Sequence, residues 1–255
     1  MPLNIIDRHK LILGKLETDG FVNVNDLSKE FDVSLVTIRK DLKLLEEKKL
    51  LFRSHGKAIP VNPYISENPV NVKEKIHAKE KNKIAIAAAD TLEPHDSIII
   101  ASGTSVIEFA RHIQPLEGLT VLTASLNTAL ILAEHKDIDV MQLGGIVRSS
   151  SSSVIGPIGE KMLSEFTFTK LFLGVDGIDL DYGLTTTNSM EASLNKEMIK
   201  ASHKIIVLAD SSKFGKKGFG RICGLDEVDQ IITDSGIDEK TKNRLMELGI
   251  ALTIV

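Results

Sequence analysis

With 255 residues, 42% of them hydrophobic, and a formal charge of −4, the chain has material for a large core with a small separate domain beside it. No stretch comes near the ~18 consecutive apolar residues of a membrane span, and the first residues lack the charged start, apolar run and small-residue cleavage site of a signal peptide, so a cytoplasmic protein without membrane contact is expected. The single cysteine, Cys223, excludes an intramolecular disulfide and a cysteine-cluster metal site.

Charge is unevenly spread: residues 1–60 carry net +2 and the remainder net −6. Within 34–57, seven basic side chains (Arg39, Lys40, Lys43, Lys48, Lys49, Arg53, Lys57) face three acidic ones. Such a stretch suits a polyanion where its geometry fits. Ile5, Ile12, Leu13 and Leu16 recur at helical spacing between Asn4 and Asp7, which can cap a start, and Gly20, which supplies a stop. A second helix is expected from a cap at Asn25 to Phe31, followed by an Asp32-Val33 turn. Ser34 caps a third, with Leu35, Ile38, Leu42 and Leu45 on one stripe and Val36, Arg39, Lys40 and Lys43 pointing away from it.

Two short helices joined by a tight turn, the second with small polar residues at its start and a basic outer face, fit a DNA major groove. Ser34, Leu35, Val36 and Thr37 would meet base edges, and Arg39, Lys40 and Lys43 suit phosphates or guanines. The strand expected over 50–53, the turn through His55 and Gly56, and the return at Ala58 make a wing that adds Arg53, His55 and Gly56 to the DNA-contacting set. A helical bundle used for protein contacts is the alternative.

The prolines at 60, 63 and 69 mark a linker over 61–74, which separates a domain at 1–60 from one at 75–255. A helix over 75–91 presents its lysines to solvent. Seven apolar runs then alternate with amphipathic stretches: 97–101, 120–123, 139–143, 171–175, 205–209, 230–233 and 251–255. This βα alternation predicts an α/β domain with a mostly parallel sheet covered by helices on both faces.

Ligands of open α/β sheets bind beyond the carboxyl ends of the strands, where this sequence collects its polar residues. The runs are followed in turn by Ser102, Gly103, Thr104 and Ser105; by Ser125; by Gly144 and Gly145 with Arg148 beyond; by Asp176; and by Lys213. A glycine and hydroxyls at a helix start form an anion site, although a plain helix cap has the same composition. Asp176 either accepts bonds from sugar hydroxyls or caps the following turn. The five serines at 149–153 form a loop that either closes over a ligand or lies idle on the surface. His55, His112, His135 and His203 show no metal-ligand spacing, and no metal or cofactor is expected.

The stretch 22–46, in which Thr37-Ile38-Arg39-Lys40-Asp41-Leu42 lies on the reading helix, resembles the DNA-binding domain of the DeoR family of sugar-metabolism repressors. Lys57 stands where that family's wing has a second glycine. The resemblance continues through 101–105, 143–145, 173–179, 183–186 and 208–214. It implies a winged helix-turn-helix followed by a Rossmann-like domain similar to ribose-phosphate isomerases, which binds a sugar phosphate through the Ser-Gly-Thr loop and has usually lost turnover. Thr185 and Glu191 complete the candidate effector set. Family members often carry aspartate where Ala101 stands and asparagine where Ala124 stands. What the resemblance implies is a non-enzymatic repressor of a carbohydrate-utilisation operon. Its expected partners are double-stranded operator DNA, a phosphorylated sugar that releases the DNA, and further copies of itself in a homo-dimer or higher homo-oligomer. The alternative is a sugar-phosphate isomerase with an accessory N-terminal domain, for which Glu191 and Asp176 are the available bases.

Overall fold

The computed structural model describes residues 3–48, 50–54, 57–60 and 69–255. The expected wing-tip residues His55 and Gly56 and the stretch 61–68 lie outside them. The chain divides into two compact units, Met1–Ser66 and Glu67–Val255.

The first unit contains α1 (Ile5–Asp19), β1 (Val22–Asn23), α2 (Val24–Glu30), α3 (Leu35–Glu47), β2 (Leu51–Ser54) and β3 (Lys57–Pro60). The Asn4 side chain accepts from the Asp7 amide, and Gly20, at φ 76°, ends α1 in the left-handed conformation that glycine adopts without penalty. The cap of α2 is Asn23, whose side chain accepts from the Asn25 amide at 3.1 Å, and not Asn25 as expected. The reason is that residues 22 and 23 are extended and pair with β3, so the helix begins directly after them. Ser34 caps α3 as its composition predicts.

The buried stripe of α3 is Ile38, Asp41, Leu42 and Leu45; Leu35, expected on that stripe, is 39% exposed. Ile38, Leu42 and Leu45 join Ile12, Leu16, Leu27 and Leu51 in one apolar core. Asp41 is buried among them because the Arg8 guanidinium meets it with two bonds, Nε to Oδ2 at 2.7 Å and Nη2 to Oδ1 at 3.1 Å. Those bonds hold the Arg8 pKa above its ordinary value against the opposing effect of burial. β2 and β3 form an antiparallel hairpin after α3, where the sequence predicts a wing, and β1 completes a three-stranded sheet of order β1-β3-β2.

The second unit runs α4 (Val70–Lys73), α5 (Ala78–Ala89), β4 (Ser97–Ile100), α6 (Thr104–His112), β5 (Thr120–Thr123), α7 (Leu126–Leu132), β6 (Asp139–Gln142), β7 (Ile146–Arg148), β8 (Ser153–Ile155), α8 (Pro157–Leu163) and β9 (Phe168–Gly174). It continues with β10 (Gly177–Asp179), β11 (Gly183–Thr186), α9 (Ser189–Lys200), β12 (Ser202–Leu208), β13 (Gly220–Cys223), β14 (Gln230–Thr233), α10 (Glu239–Glu247) and β15 (Ala251–Ile254). All seven apolar runs read from the sequence are strands of one parallel sheet, ordered β15-β14-β12-β9-β4-β5-β6. Both faces are covered. Ile99, beside Leu122 and Leu171 in the ladders, packs towards Leu163 of α8 and Met198 of α9, while Ile98 and Ile100 pack towards Ile84 of α5 and Phe109 of α6. Burial on both sides is why these strands read as continuous apolar runs and not as alternating ones.

The structure departs from the expected organisation in four further places. Residues 69–74, assigned to the linker, belong to the second unit and include α4. Lys81 of α5, expected on a solvated face, is 4% exposed. Residues 149–152 are the turn of the β7-β8 hairpin, tied down by Val70 N–H to Ser150 O at 2.8 Å and Leu126 N–H to Ser152 O at 2.9 Å, with Ser153 fully buried in β8. A small antiparallel sheet, β10-β11-β13, lies beyond β9 and was not anticipated as such.

Candidate functional site

The strand order places β4 inside the large sheet, with β5 on one side and β9 on the other, so the chain's direction of progress reverses between β4 and β9. A crevice opens beyond the carboxyl ends of strands that diverge in this way. Here the two ends nearly touch: a Cβ at Gly174 would stand 3.1 Å from the Ser102 carbonyl. Gly103, at φ +128°, turns the chain from β4 into α6 in a conformation that a side chain would strain, and α6 has no side-chain cap. Thr104 and Ser105 are buried in its first turn, whose amides have no partner within the helix. An uncapped helix start with two hydroxyls attracts an anion by its amides and its dipole.

Eight of the effector-binding candidates line one cleft: Ser102, Gly103, Thr104, Ser105, Arg148, Asp176, Glu191 and Lys213. Asp176 is fixed from three sides. Its Oδ1 accepts from Lys73 Nζ at 2.6 Å, and its Oδ2 accepts from Thr186 Oγ1 at 3.0 Å and from the Thr187 amide at 3.1 Å. Burial pushes its carboxyl towards the neutral form, but the charge and hydrogen bond of Lys73, the charge of Lys213 and the Thr187 amide outweigh it, so the pKa lies below the ordinary aspartate value. Glu191, 7% exposed, accepts from Arg148 Nη1 at 2.9 Å and from Thr186 Oγ1 at 3.3 Å. Lys213 Nζ stands 3.9 Å from Asp210 Oδ2. The lining therefore holds three cations, Lys73, Arg148 and Lys213, against two carboxylates, Asp176 and Glu191, a net charge of +1.

Four candidates lie elsewhere. Ser125 is fully buried and caps α7 by accepting from the Thr128 amide at 3.2 Å. Thr185, also fully buried, donates to the Gly177 carbonyl and accepts from the Gly218 amide, which ties β10 and β11 to the loop ahead of β13. Gly145 has φ +151° and lies so close to the Ile155 carbonyl that a Cβ would come within 2.6 Å of it, and Gly144 precedes it outside the cleft lining. These residues shape the strand ends. Conversely, Lys73, Thr186, Thr187 and Asn195 line the cleft without having been singled out. Thr186 ends a motif already noted in the sequence, whereas Lys73 carries no sequence signal because α4 is too short for periodicity.

In the first unit Val36, Arg39, Lys40 and Lys43 are exposed along one side of α3, with Val36 71% exposed. Leu35 and Ser34 are exposed at its start and Thr37 is half-buried, its amide bound by Ser34. Arg53 is tied by its Nε to Glu46 Oε2 at 2.6 Å, which fixes β2 to α3 and leaves the guanidinium partly occupied. Among the described residues no helix is long and apolar enough to cross a membrane.

The family model for the DeoR C terminal sensor domain matches residues 76–235, and that for the DeoR-like helix-turn-helix domain matches residues 8–63. The chain belongs to the DeoR family of transcriptional regulators. Relatives similar along nearly its whole length include a protein of Escherichia coli O157:H7 provisionally named an aga operon transcriptional repressor, 35% identical over 98% of this chain and 93% of the relative. The HTH-type transcriptional regulator YulB of Bacillus subtilis (strain 168) is 34% identical over 98% of this chain and 97% of its own. Among solved structures, ribose 5-phosphate isomerase A from Methanocaldococcus jannaschii is 17% identical over 53% of this chain and 54% of that one, with a TM-score of 0.40. The DeoR sensor match contains every cleft-lining residue from Ser102 to Lys213, and Lys73 lies just ahead of it.

Proposed function

We propose that this DeoR-family protein is a cytoplasmic repressor of a carbohydrate-utilisation operon, that it binds operator DNA as a homo-dimer or higher homo-oligomer, and that a phosphorylated sugar in the second-unit cleft releases it. The observation that carries this reading is the pairing, in one cleft, of an uncapped helix start and Lys213 with two carboxylates held at fixed positions. The first suits a phosphate; the second suit the hydroxyls of a polyol. The exposed basic side of α3 supports the DNA half of the reading, with Lys40 and Lys43 on phosphates.

The site favours binding over turnover. Isomerisation needs a base that is free to take a proton, whereas Asp176 is engaged by Lys73 and Glu191 by Arg148. Ala101, at the end of β4, is fully buried and carries no group able to take a proton. A thermal-shift screen with phosphorylated and unphosphorylated sugars tests the sensor, since a ligand of the folded state alone raises Tm by mass action. Hits confined to phosphorylated compounds are expected, with no isomerised product by NMR on prolonged incubation. Sustained turnover, or no phosphorylated hit, would overturn the reading. For the DNA half, Lys40→Ala and Lys43→Ala should each lower the salt slope of operator binding by about one.

A further inference from the structure

Asn195 stands on the buried stripe of α9, which is otherwise Glu191, Ala192, Leu194, Met198 and Ile199. Four residues beyond Glu191 it lies one turn on along the same side of the helix, and like Glu191 it lines the cleft. It is 5% exposed, yet its carboxamide makes no hydrogen bond to any group among the described residues. Ala101, after β4, and Ala124, after β5, belong to the core face that α9 covers, and they bring only methyl groups to it. A carboxamide has two donors and an acceptor oxygen, and burying them unmatched costs folding free energy. Folding alone would be served better here by leucine, which has nearly the same shape and would extend the apolar stripe. A buried polar group left unmatched at the wall of a cleft therefore points to a partner from outside the protein.

We infer that Asn195 is a specificity-determining residue of the cleft, whose carboxamide hydrogen-bonds a hydroxyl on the sugar part of a phosphorylated sugar while Glu191 accepts from a neighbouring hydroxyl. The inference rests on the sensor reading above and adds to it which group of the ligand is recognised. The chemistry of the lining supports it. Asn195 is the one carboxamide among the described lining residues, a neutral group that both donates and accepts, as a hydroxyl does. The cations and the start of α6 suit a phosphate, and an uncharged amide adds little to them. Helix geometry supports it as well, because side chains four apart have Cβ atoms about 5–6 Å from each other, a span that two hydroxyls of one sugar can bridge. A site built around such a bond rejects the deoxy analogue, which leaves the buried amide without a partner.

The test compares the full-length unaltered chain with Asn195→Leu and Asn195→Ala by thermal shift and calorimetry. The probes are pentose and hexose monophosphates, the monodeoxy forms of those that bind, and inorganic phosphate. Without ligand, Asn195→Leu should melt no lower than the unaltered chain, since an unmatched amide gives way to an apolar side chain. Both variants should bind the tightest sugar phosphate roughly 5- to 150-fold more weakly, while the melting shift given by inorganic phosphate stays as it was. The unaltered chain should reject one monodeoxy analogue by a similar factor, and both variants should bind that analogue and its parent nearly equally. Full discrimination against every monodeoxy analogue in the variants, the result of a merely structural role, would overturn the inference. So would unchanged sugar-phosphate affinity, which would mean that the amide holds only water, or an equal loss for sugar phosphate and inorganic phosphate. Should leucine prevent folding, Asn195→Ala decides on the same readings. Absence of any phosphorylated-sugar hit with the unaltered chain would instead sink the sensor reading on which the inference stands.

Discussion

Lys81 and Lys213 are both lysines near the carboxyl edge of the sheet, yet their surroundings give them opposite work. Lys81 is 4% exposed, and burial, aided by the charges of Lys213 and Lys73 and opposed by Asp210 and Glu74, pushes its amine down to about 8 from an ordinary 10.5. Even a neutral amine has two hydrogens for the two carbonyls it meets. Between about pH 8 and pH 10.5 the unfolded chain holds a proton that the folded chain has released, so this group makes the fold more stable as pH rises through that window. Urea unfolding at the two ends of the window should show a smaller gain in Lys81→Met than in the unaltered chain, by up to about 3 kcal/mol; an equal gain would place the shift elsewhere. Lys213 faces the cleft. Lys213→Ala should lower sugar-phosphate affinity roughly 10- to 150-fold by calorimetry while ligand-free operator binding stays as it was, so that the repressor holds DNA at ligand levels that normally release it. Lys213 was legible in the sequence because it follows an apolar strand. Lys81 was not: a lysine on an amphipathic helix has a solvated face as its default, and only the folding of 69–77 brings carbonyls to it.

At the scale of elements, α3 shows what periodicity reads well and what it misses. Ile38, Leu42 and Leu45 were legible as a buried stripe because their spacing is geometric. Leu35 was not legible as exposed, since the first turn of a helix can project past the core it serves, which here leaves it beside Val36 at the start of the basic side. Asp41 is one of the three acidic residues within 34–57, and it is the ionic centre of the unit. It joins α3 to α1 through Arg8, and His9 Nε2 lies 3.3 Å from its Oδ1. Sequence spacing of 33 residues gives no hint of that pair. Asp41→Ala should destabilise the first unit by about 3–5 kcal/mol, because it leaves a buried guanidinium without its partner, whereas Arg8→Met with Asp41→Leu should recover most of the loss. Urea unfolding of the full chain, followed by operator binding, reads both. Equal stability of Asp41→Ala and the double variant would show that the pair's charges are not what the site depends on.

For the whole molecule, the seven strands were legible and their order was not. Strands buried on both faces announce themselves as apolar runs, but nothing in the runs says that β9 lies on the far side of β4 from β5, and that reversal is what makes the crevice. The hairpin and the small antiparallel sheet stayed hidden for a different reason: their short strands are broken by glycine, polar or charged residues, as in Gly177–Asp179 and Gly183–Thr186, and so form no continuous apolar run. The candidate site followed the same division, with the residues on strand ends foreseen and those supplied by α4 and β11 recovered only from the fold. Two units in one chain, one suited to DNA and the other to a small anion, are useful together only if their binding energies are coupled. A coupling of about 1–3 kcal/mol gives a 5- to 150-fold change in operator affinity. Linkage then demands reciprocity: operator DNA must weaken sugar-phosphate binding by the same factor by which saturating sugar phosphate weakens operator binding. Calorimetric titration of the ligand into the free protein and into its operator complex, at one salt concentration, gives the first factor, and operator titrations with and without ligand give the second. Two factors that agree and exceed about fivefold are expected. Agreement near unity would mean that the cleft binds its ligand without reference to DNA, and the second unit would then not be the sensor of the first.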